Sequence, residues 1–297
     1  MTMHVLLATD GSSDAQVATA WLTGFPLPDD THVRVVTVAA AVPSPLDIAP
    51  ARDFQASLHQ EARAVADGTA AVLADRFRTV EARALAGDPR EELMRMAEEW
   101  PADLVVLGAR GLSGVAGFFL GSVSLAVARH APCAVLVVKE AREARALRGA
   151  LVAVDGSEES ATAAAFLARL PLGRSVNVQL VGVVEPPRFP STAPAVAAGV
   201  LREAIEQVVA ERRTALTEAL SRTAAVFGGR VPAGGCRVAV GHPVDEIVRA
   251  AADAEVDVVV MGARGLGTLK RLLLGSVSEG VLRHADRPVL IVRGGRS

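Results

Sequence analysis

The chain contains no tyrosine, and aromatic residues make up only 3% of it. A planar ring bound by such a protein would rest on aliphatic side chains rather than on an aromatic shelf. Lysine is also scarce, represented by Lys139 and Lys270 in 297 residues. With 31 basic side chains against 33 acidic ones the formal net charge is -2, so no global positive field exists to attract nucleic acid or an anionic membrane. Cysteine is limited to Cys133, in an apolar run, and Cys236, beside Gly234 and Gly235. Neither has the spacing of a zinc site or a C-x-x-C pair, so a reducing compartment fits, with buried packing expected for Cys133. No apolar stretch reaches the roughly 20 residues of a membrane helix. The short apolar run from Met1 ends in Asp10-Gly11, unlike a secretory leader. A cytoplasmic protein without membrane or nucleic-acid partners is the expectation.

What the chain does have is an internal duplication. Val5-Leu6-Leu7-Ala8-Thr9-Asp10-Gly11-Ser12 returns as Leu151-Val152-Ala153-Val154-Asp155-Gly156-Ser157. Asp103-Leu104-Val105-Val106-Leu107-Gly108-Ala109-Arg110-Gly111-Leu112 returns as Asp257-Val258-Val259-Val260-Met261-Gly262-Ala263-Arg264-Gly265-Leu266, and Arg129-His130-Ala131 as Arg283-His284-Ala285. The period is far longer than that of a solenoid, so a whole domain is repeated. At roughly 150 residues per domain the length agrees. The boundary is expected in the charged stretch from Lys139 to Gly149, giving domains 1–140 and 149–297 joined by a linker at 141–148.

Short aliphatic runs alternate with segments of helical period, the pattern of βαβ units and a parallel sheet. The first copy predicts strands near 4–9, 32–38, 80–86, 103–108 and 134–138. Its helices fall near 13–24, 53–77, 89–99 and 122–130, the first with Ser13 and Gln16 as a capping box. The second copy predicts strands near 150–154, 176–184, 236–240, 256–261 and 288–292. Their unbroken Val/Leu/Ile runs are those of strands covered on both faces. The fold class is therefore α/β, two tandem doubly wound parallel five-stranded sheets. Right-handed crossovers leave strand orders 2-1-3-4-5 and 3-2-1-4-5, of which the second is preferred. It places the switch point between strands one and four, where ligands of open α/β sheets bind.

Those two strands carry the glycines. After strand four the chain reads Gly108-Ala109-Arg110-Gly111, nine residues, then Gly121-Ser122; the second copy reads Gly262-Ala263-Arg264-Gly265, nine residues, then Gly275-Ser276. Each motif follows a strand and opens a helix, the context that a phosphate loop requires. Gly108 would let the backbone approach a ligand, Gly111 would allow a turn with positive φ, and Gly121 would start a helix whose first amides are free for an anion. Ser122 and Ser124 could add hydroxyl donors. The alternative is that these glycines only make tight turns and Ser122 only caps a helix. Asp10 and Asp155 likewise read either as turn residues or as acceptors for ribose hydroxyls. Arg110 and Arg264 read as phosphate ligands or, more commonly for loop arginines, as solvated side chains.

Taken together, Asp-Gly-Ser after strand one, Gly-Ala-Arg-Gly, the nine-residue spacer, Gly-Ser-Val-Ser and the closing Arg-His-Ala resemble the ATP-binding class of universal stress proteins over essentially the whole chain. The resemblance implies an adenine nucleotide alpha hydrolase-like, Rossmann-like fold and a site in each copy for ATP or another adenine nucleotide, with or without Mg2+. It assigns Asp10, Gly108, Gly111, Gly121, Ser122, Val123 and Ser124 to one site and Asp155, Gly262, Gly265, Gly275, Ser276, Val277 and Ser278 to the other. By the same likeness Ala8, Thr9, Val38 and Leu107 line the first base pocket, and Ala153, Val154, Val183 and Met261 the second. In that family the last strand of each domain makes the dimer contact, which implies pairing of the two halves within this chain and leaves a homodimer of whole chains open.

Machinery for turnover is missing. No G-x-x-x-x-G-K-[S/T], G-x-S-x-G or H-E-x-x-H occurs, so efficient ATP hydrolysis is not expected. A stress-response sensor or regulatory binding module leads, against a slow ATPase or nucleotidyl-transfer enzyme and against a ligand-free assembly scaffold.

Overall fold

The computed structural model describes residues 2–41, 49–112, 120–139, 146–187, 195–266 and 273–294. The first half runs β1 (His4–Ala8), α1 (Ser13–Gly24), β2 (His32–Ala40), α2 (Ala49–Ala74), β3 (Thr79–Gly87), α3 (Pro89–Glu99), β4 (Leu104–Gly108), α4 (Ser122–His130) and β5 (Ala134–Val138). The second repeats it as β6 (Gly149–Ala153), α5 (Glu158–Arg169), β7 (Asn177–Val184), α6 (Ala195–Val226), β8 (Cys236–Val240), α7 (Pro243–Asp253), β9 (Val258–Gly262), α8 (Ser276–His284) and β10 (Val289–Val292). Helix α2 starts four residues earlier than its periodicity predicts, because Pro50 falls in the first turn, where its missing N–H costs nothing. The cap of α1 is Ser12 rather than Ser13: the Ser12 hydroxyl accepts from Ala15 N–H at 3.3 Å. Gln16 does not close a capping box; its side-chain amide donates to the Gly11 carbonyl. Part of the expected linker, residues 141–145, lies outside the described residues, as does residue 140 before it.

Each half has strand order 3-2-1-4-5. The halves are joined edge to edge into one ten-stranded sheet, β3-β2-β1-β4-β5-β10-β9-β6-β7-β8. Pairing is parallel within each half and antiparallel at the seam, where Val289, Leu290 and Ile291 face Val137, Leu136 and Val135. That reversal points the carboxyl ends of the two sets of strands toward opposite ends of the sheet. The seam residues are fully buried, so neither β5 nor β10 presents a bare apolar edge.

Two apolar layers sandwich the sheet. Helices α1, α2, α5 and α6 cover one face through Leu22, Leu73, Leu167 and Leu220, and pack on Leu7, Val106 and Val152. Helices α3, α4, α7 and α8 cover the other through Leu93, Val127, Ile247 and Leu282, against Leu6, Leu107 and Val259. Leu6, Leu7 and Leu104 are wholly excluded from water, each contributing roughly 1.5–3 kcal/mol. Alternate residues of every central strand thus feed opposite layers.

Candidate functional site

The crevice of each half lies where β1 and β4, or β6 and β9, part company at their carboxyl ends. Gly11 and Gly156 turn the chain there with φ of 79° and 85°, a conformation that a Cβ disfavours. The preceding aspartate then spans the gap. Asp10 accepts from Ser12 N–H at 3.0 Å with one oxygen and from Leu112 N–H at 2.9 Å with the other. Asp155 repeats this with Ser157 N–H and Leu266 N–H at 2.9 and 3.1 Å. A half-buried carboxylate therefore ties the loop after strand one to the loop after strand four. Asp155 also accepts the Ser157 hydroxyl at 2.5 Å, so these bonds take two of the roughly four acceptor positions of Asp10 and three of those of Asp155.

The glycines serve close packing. A Cβ on Gly108 would stand 2.7 Å from the Asp14 backbone, and one on Gly262 would stand 2.8 Å from the Glu159 backbone. These glycines thus admit the first turn of α1 or α5 against the strand end, and their Cβ direction is not toward a ligand. Gly111 and Gly265 do not adopt positive φ, contrary to expectation. A Cβ on Gly111 would instead lie 2.5 Å from the Asp10 carboxylate, so the residue is small to let Asp10 reach Leu112.

Arg110 and Arg264 are partly exposed, but each is held by a carboxylate. The Arg110 guanidinium donates to Asp14 at 3.0 and 3.3 Å, and its backbone N–H reaches the same carboxylate at 3.1 Å. Arg264 binds Glu159 in the same way, through Nε at 2.6 Å and the backbone N–H at 2.8 Å. Asp14 and Glu159 escaped the motif reading. The available signal was an acidic residue at the second position of the first helix in both copies, which favours the helix N-terminus by itself.

Helices α4 and α8 begin at the same crevice. Gly121 and Gly275 are their N-caps, and neither offers a capping side chain. Their own N–H groups are used, donating to the Ala109 and Ala263 carbonyls at 2.8 and 2.7 Å. The amides of Ser122, Val123 and Ser124, and of Ser276, Val277 and Ser278, occupy the first turns, where no intrahelical acceptor exists. Ser122 and Ser276 are exposed. Ser124 and Ser278 are buried, and their hydroxyls donate inward to the Gly108 and Gly262 carbonyls at 2.7 and 2.8 Å rather than outward. Val123 and Val277 pack against the adjoining apolar layer.

Beside these helix starts, Ala8, Val38 and Leu107 meet on one face at the ends of β1, β2 and β4, as do Ala153, Val183 and Met261 at the ends of β6, β7 and β9. Thr9 and Val154 are each one residue further on, so the pleat turns them the other way. Val154 belongs to the opposite layer, and Thr9 is buried with its hydroxyl accepting from Gly11 N–H. Their side chains thus do not join Ala8, Val38 and Leu107 or Ala153, Val183 and Met261.

Two further cations border the crevices. Lys139 follows β5, and its ammonium donates to the carbonyls of Arg283 and Ala285 at 3.1 and 2.6 Å, across the seam. Burial pushes its pKa down to about 8, Asp286 opposes that shift, and Arg110 adds to it. Arg293 follows β10 and donates to the carbonyls of Leu273 and Ala128; burial lowers its pKa as well, with Glu159 opposing and Arg264 reinforcing. Among the described residues no group of three or more His, Cys, Asp and Glu is placed to hold a metal. No described helix is long and apolar enough to cross a membrane.

A parallel sheet in each half with a switch-point crevice, a glycine-started helix and an apolar shelf define a duplicated doubly wound, Rossmann-like α/β architecture. The sequence profile of the Universal stress protein family matches residues 1–139 and again 148–293. A universal stress protein of Mycobacterium tuberculosis is 30% identical over 318 residues, covering 97% of this chain and 96% of its own length. Universal stress protein MJ0577 of Methanocaldococcus jannaschii is 46% identical over 56 residues, 19% of this chain and 35% of that protein. The crystal structure of a universal stress protein from Archaeoglobus fulgidus shares the fold with a TM-score of 0.64 at 23% identity, covering 98% of this chain and 96% of that one. The chain belongs to the universal stress protein family, as a tandem two-domain member.

Proposed function

We propose that each half binds one adenine nucleotide, ATP in the first instance, and that the chain acts as a cytoplasmic stress-response binding module whose conformation or assembly reports nucleotide occupancy. The observation that carries this reading is the pair of helices, α4 and α8, that start on bare glycines at the switch point beside an aliphatic shelf. Amides of Ser122, Val123 and Ser124, or of Ser276, Val277 and Ser278, hold the phosphates. The helix dipole contributes roughly 0.3–1 kcal/mol and each hydrogen bond to a charged oxygen about 1.5–3 kcal/mol. Asp10 and Asp155 offer their remaining acceptor positions to ribose hydroxyls. The base lies against Ala8, Val38 and Leu107, or Ala153, Val183 and Met261, without an aromatic partner. Arg110 and Arg264 reach phosphate only by exchanging Asp14 or Glu159 for it. Mg2+ then arrives with the phosphates. The reading also takes 1–140 and 149–297 as the two functional domains, with the linker at 141–148 and β5 paired to β10 as their working arrangement.

Titration calorimetry of protein stripped of copurified ligand tests this. ATP should bind at two per chain, Gly121→Val and Gly275→Val should each remove one, and the double variant should bind none while retaining its circular dichroism. Full stoichiometric binding by the double variant would refute the assignment.

A further inference from the structure

The antiparallel seam has a geometric consequence for the two crevices. Helix α4 starts at the crevice of the first half and runs back to the opposite end of the sheet. That end is where the strands of the second half finish, so the last turn of α4 stands near the second crevice. The same holds for α8 and the first crevice.

A cation occupies each of these meeting points. Arg293, one residue beyond β10, donates through one guanidinium nitrogen to the Ala128 carbonyl in the last turn of α4. Through another it donates at 2.6 Å to the Leu273 carbonyl, immediately ahead of the Leu274-Gly275 start of α8. Its neighbour Val292 accepts from Ala263 N–H at 2.8 Å, inside the glycine loop of the second site. Lys139 mirrors this: it fastens the Arg283 and Ala285 carbonyls at the end of α8, and its neighbour Val138 accepts from Ala109 N–H at 2.8 Å in the first glycine loop. Arg129 of α4 adds a direct tie to Glu279 of α8 at 2.7 Å. Electrostatics run the same way along each helix, because an anion at the first turn and a cation at the last both align with the dipole.

We infer that the two nucleotide sites are positively coupled, with Lys139 and Arg293 as the positioning residues that carry the coupling. Arg293 fastens the last turn of α4 to the segment that leads into α8, and Lys139 fastens the end of α8 next to Val138, whose carbonyl holds the first glycine loop. Ordering α4 by a phosphate at Ser122 holds Ala128 against Arg293 and thereby steadies Leu273 and the start of α8. The second nucleotide then meets a turn whose ordering is already complete. By reciprocity the effect is equal in the other direction.

This inference rests on the two-site reading, and the test separates the two. Native mass spectrometry of the full chain, stripped and then titrated with ATP, gives the populations with zero, one and two nucleotides. The product of the empty and doubly filled populations over the square of the singly filled one cannot exceed about one quarter for independent sites, however unequal their affinities. Lys139→Met with Arg293→Met should lower this ratio by about 5-fold or more relative to the wild type, with two sites still filling at high ATP. Each single variant should give an intermediate value, and Lys139→Arg should keep the wild-type ratio. The single variants decide the matter if the double one does not fold. A ratio equal in wild type and variants, with both sites filling, overturns the coupling and leaves the sites standing. No binding at all overturns both.

Discussion

The two halves share the bonds that tie their crevice loops and differ in the packing under α2 and α6 and in the caps of α3 and α7. At the crevice the correspondence extends to single hydrogen bonds: Asp10 to Leu112 as Asp155 to Leu266, Arg110 to Asp14 as Arg264 to Glu159, and Ser124 to Gly108 as Ser278 to Gly262. Under α2 and α6 the packing has been exchanged. The Leu216 side chain fills the space above Gly182, so a Cβ there would lie 2.6 Å from it. The first half has Thr37 and Ala62 at those positions, and the buried Thr37 hydroxyl has no partner among the described residues. The helix after the third strand is capped by Asp88, which accepts from Arg90 N–H at 2.8 Å; its counterpart His242 makes no capping bond. A core tolerates redistribution of volume between neighbouring side chains, whereas around the crevice the bonds that tie the two loops are kept and only the Ser12 and Ser157 hydroxyls change acceptor, from the Arg110 carbonyl to the Asp155 carboxylate.

Breaking the shared part should cost most. Gly108→Ala or Gly262→Ala drives a methyl into the first turn of α1 or α5, and about 3 kcal/mol of stability should be lost in either half, read by urea denaturation. Equal loss in both would confirm that the requirement is common; a negligible loss would show that the helix can retreat. The exchanged part should behave as a coupled pair. Leu216→Ala alone should cost about 3 kcal/mol and Gly182→Thr alone about 2 kcal/mol, while the double variant, which transplants the first half's pair, should cost less than their sum by about 1 kcal/mol. Additive losses would mean that the two positions do not compensate. Smaller still, His242→Asp should supply the missing cap and raise stability by about 1 kcal/mol.

The seam offers a pH-dependent comparison. In the folded chain Lys139 titrates at about 8, against 10.5 for an ordinary lysine. The unfolded state therefore holds the proton more tightly, and the cost of burying the charge is full below about pH 8 and disappears as pH rises toward 10.5. Relative to Lys139→Met, the wild type should gain stability between those values. Of the two lysine Nζ resonances in the chain, one should titrate near 8; two titrations above 10 would contradict the buried seam cation.

Much of this architecture was legible in the residues because it depends on local pattern. Unbroken aliphatic runs such as Leu104–Gly108 mark buried parallel strands, and the repeated glycine loops mark the switch point. What was not legible depends on partners distant in the chain. Arg110 meets Asp14 across 96 residues and Lys139 meets Ala285 across 146, so neither pairing leaves a spacing signature. A packing requirement on Gly108 was hidden for the same reason: the atoms that a Cβ there would strike belong to α1. The side-chain direction of Val154 follows from strand alternation once β6 is known to end at Ala153. The cations Lys139 and Arg293 follow the last strand in both copies, beyond the end of the repeated motif, which gives them no signature of their own.

The central claim is that main-chain amides at the starts of α4 and α8 hold the phosphates of an adenine nucleotide. Two-dimensional amide NMR of the stripped protein titrated with ATP tests it directly. The account predicts that Ser122, Val123, Ser124, Ser276, Val277 and Ser278 undergo the largest shifts, with adenosine alone leaving them nearly in place while moving Ala8, Val38, Ala153 and Val183. Unchanged positions for those six amides at saturating ATP would contradict it.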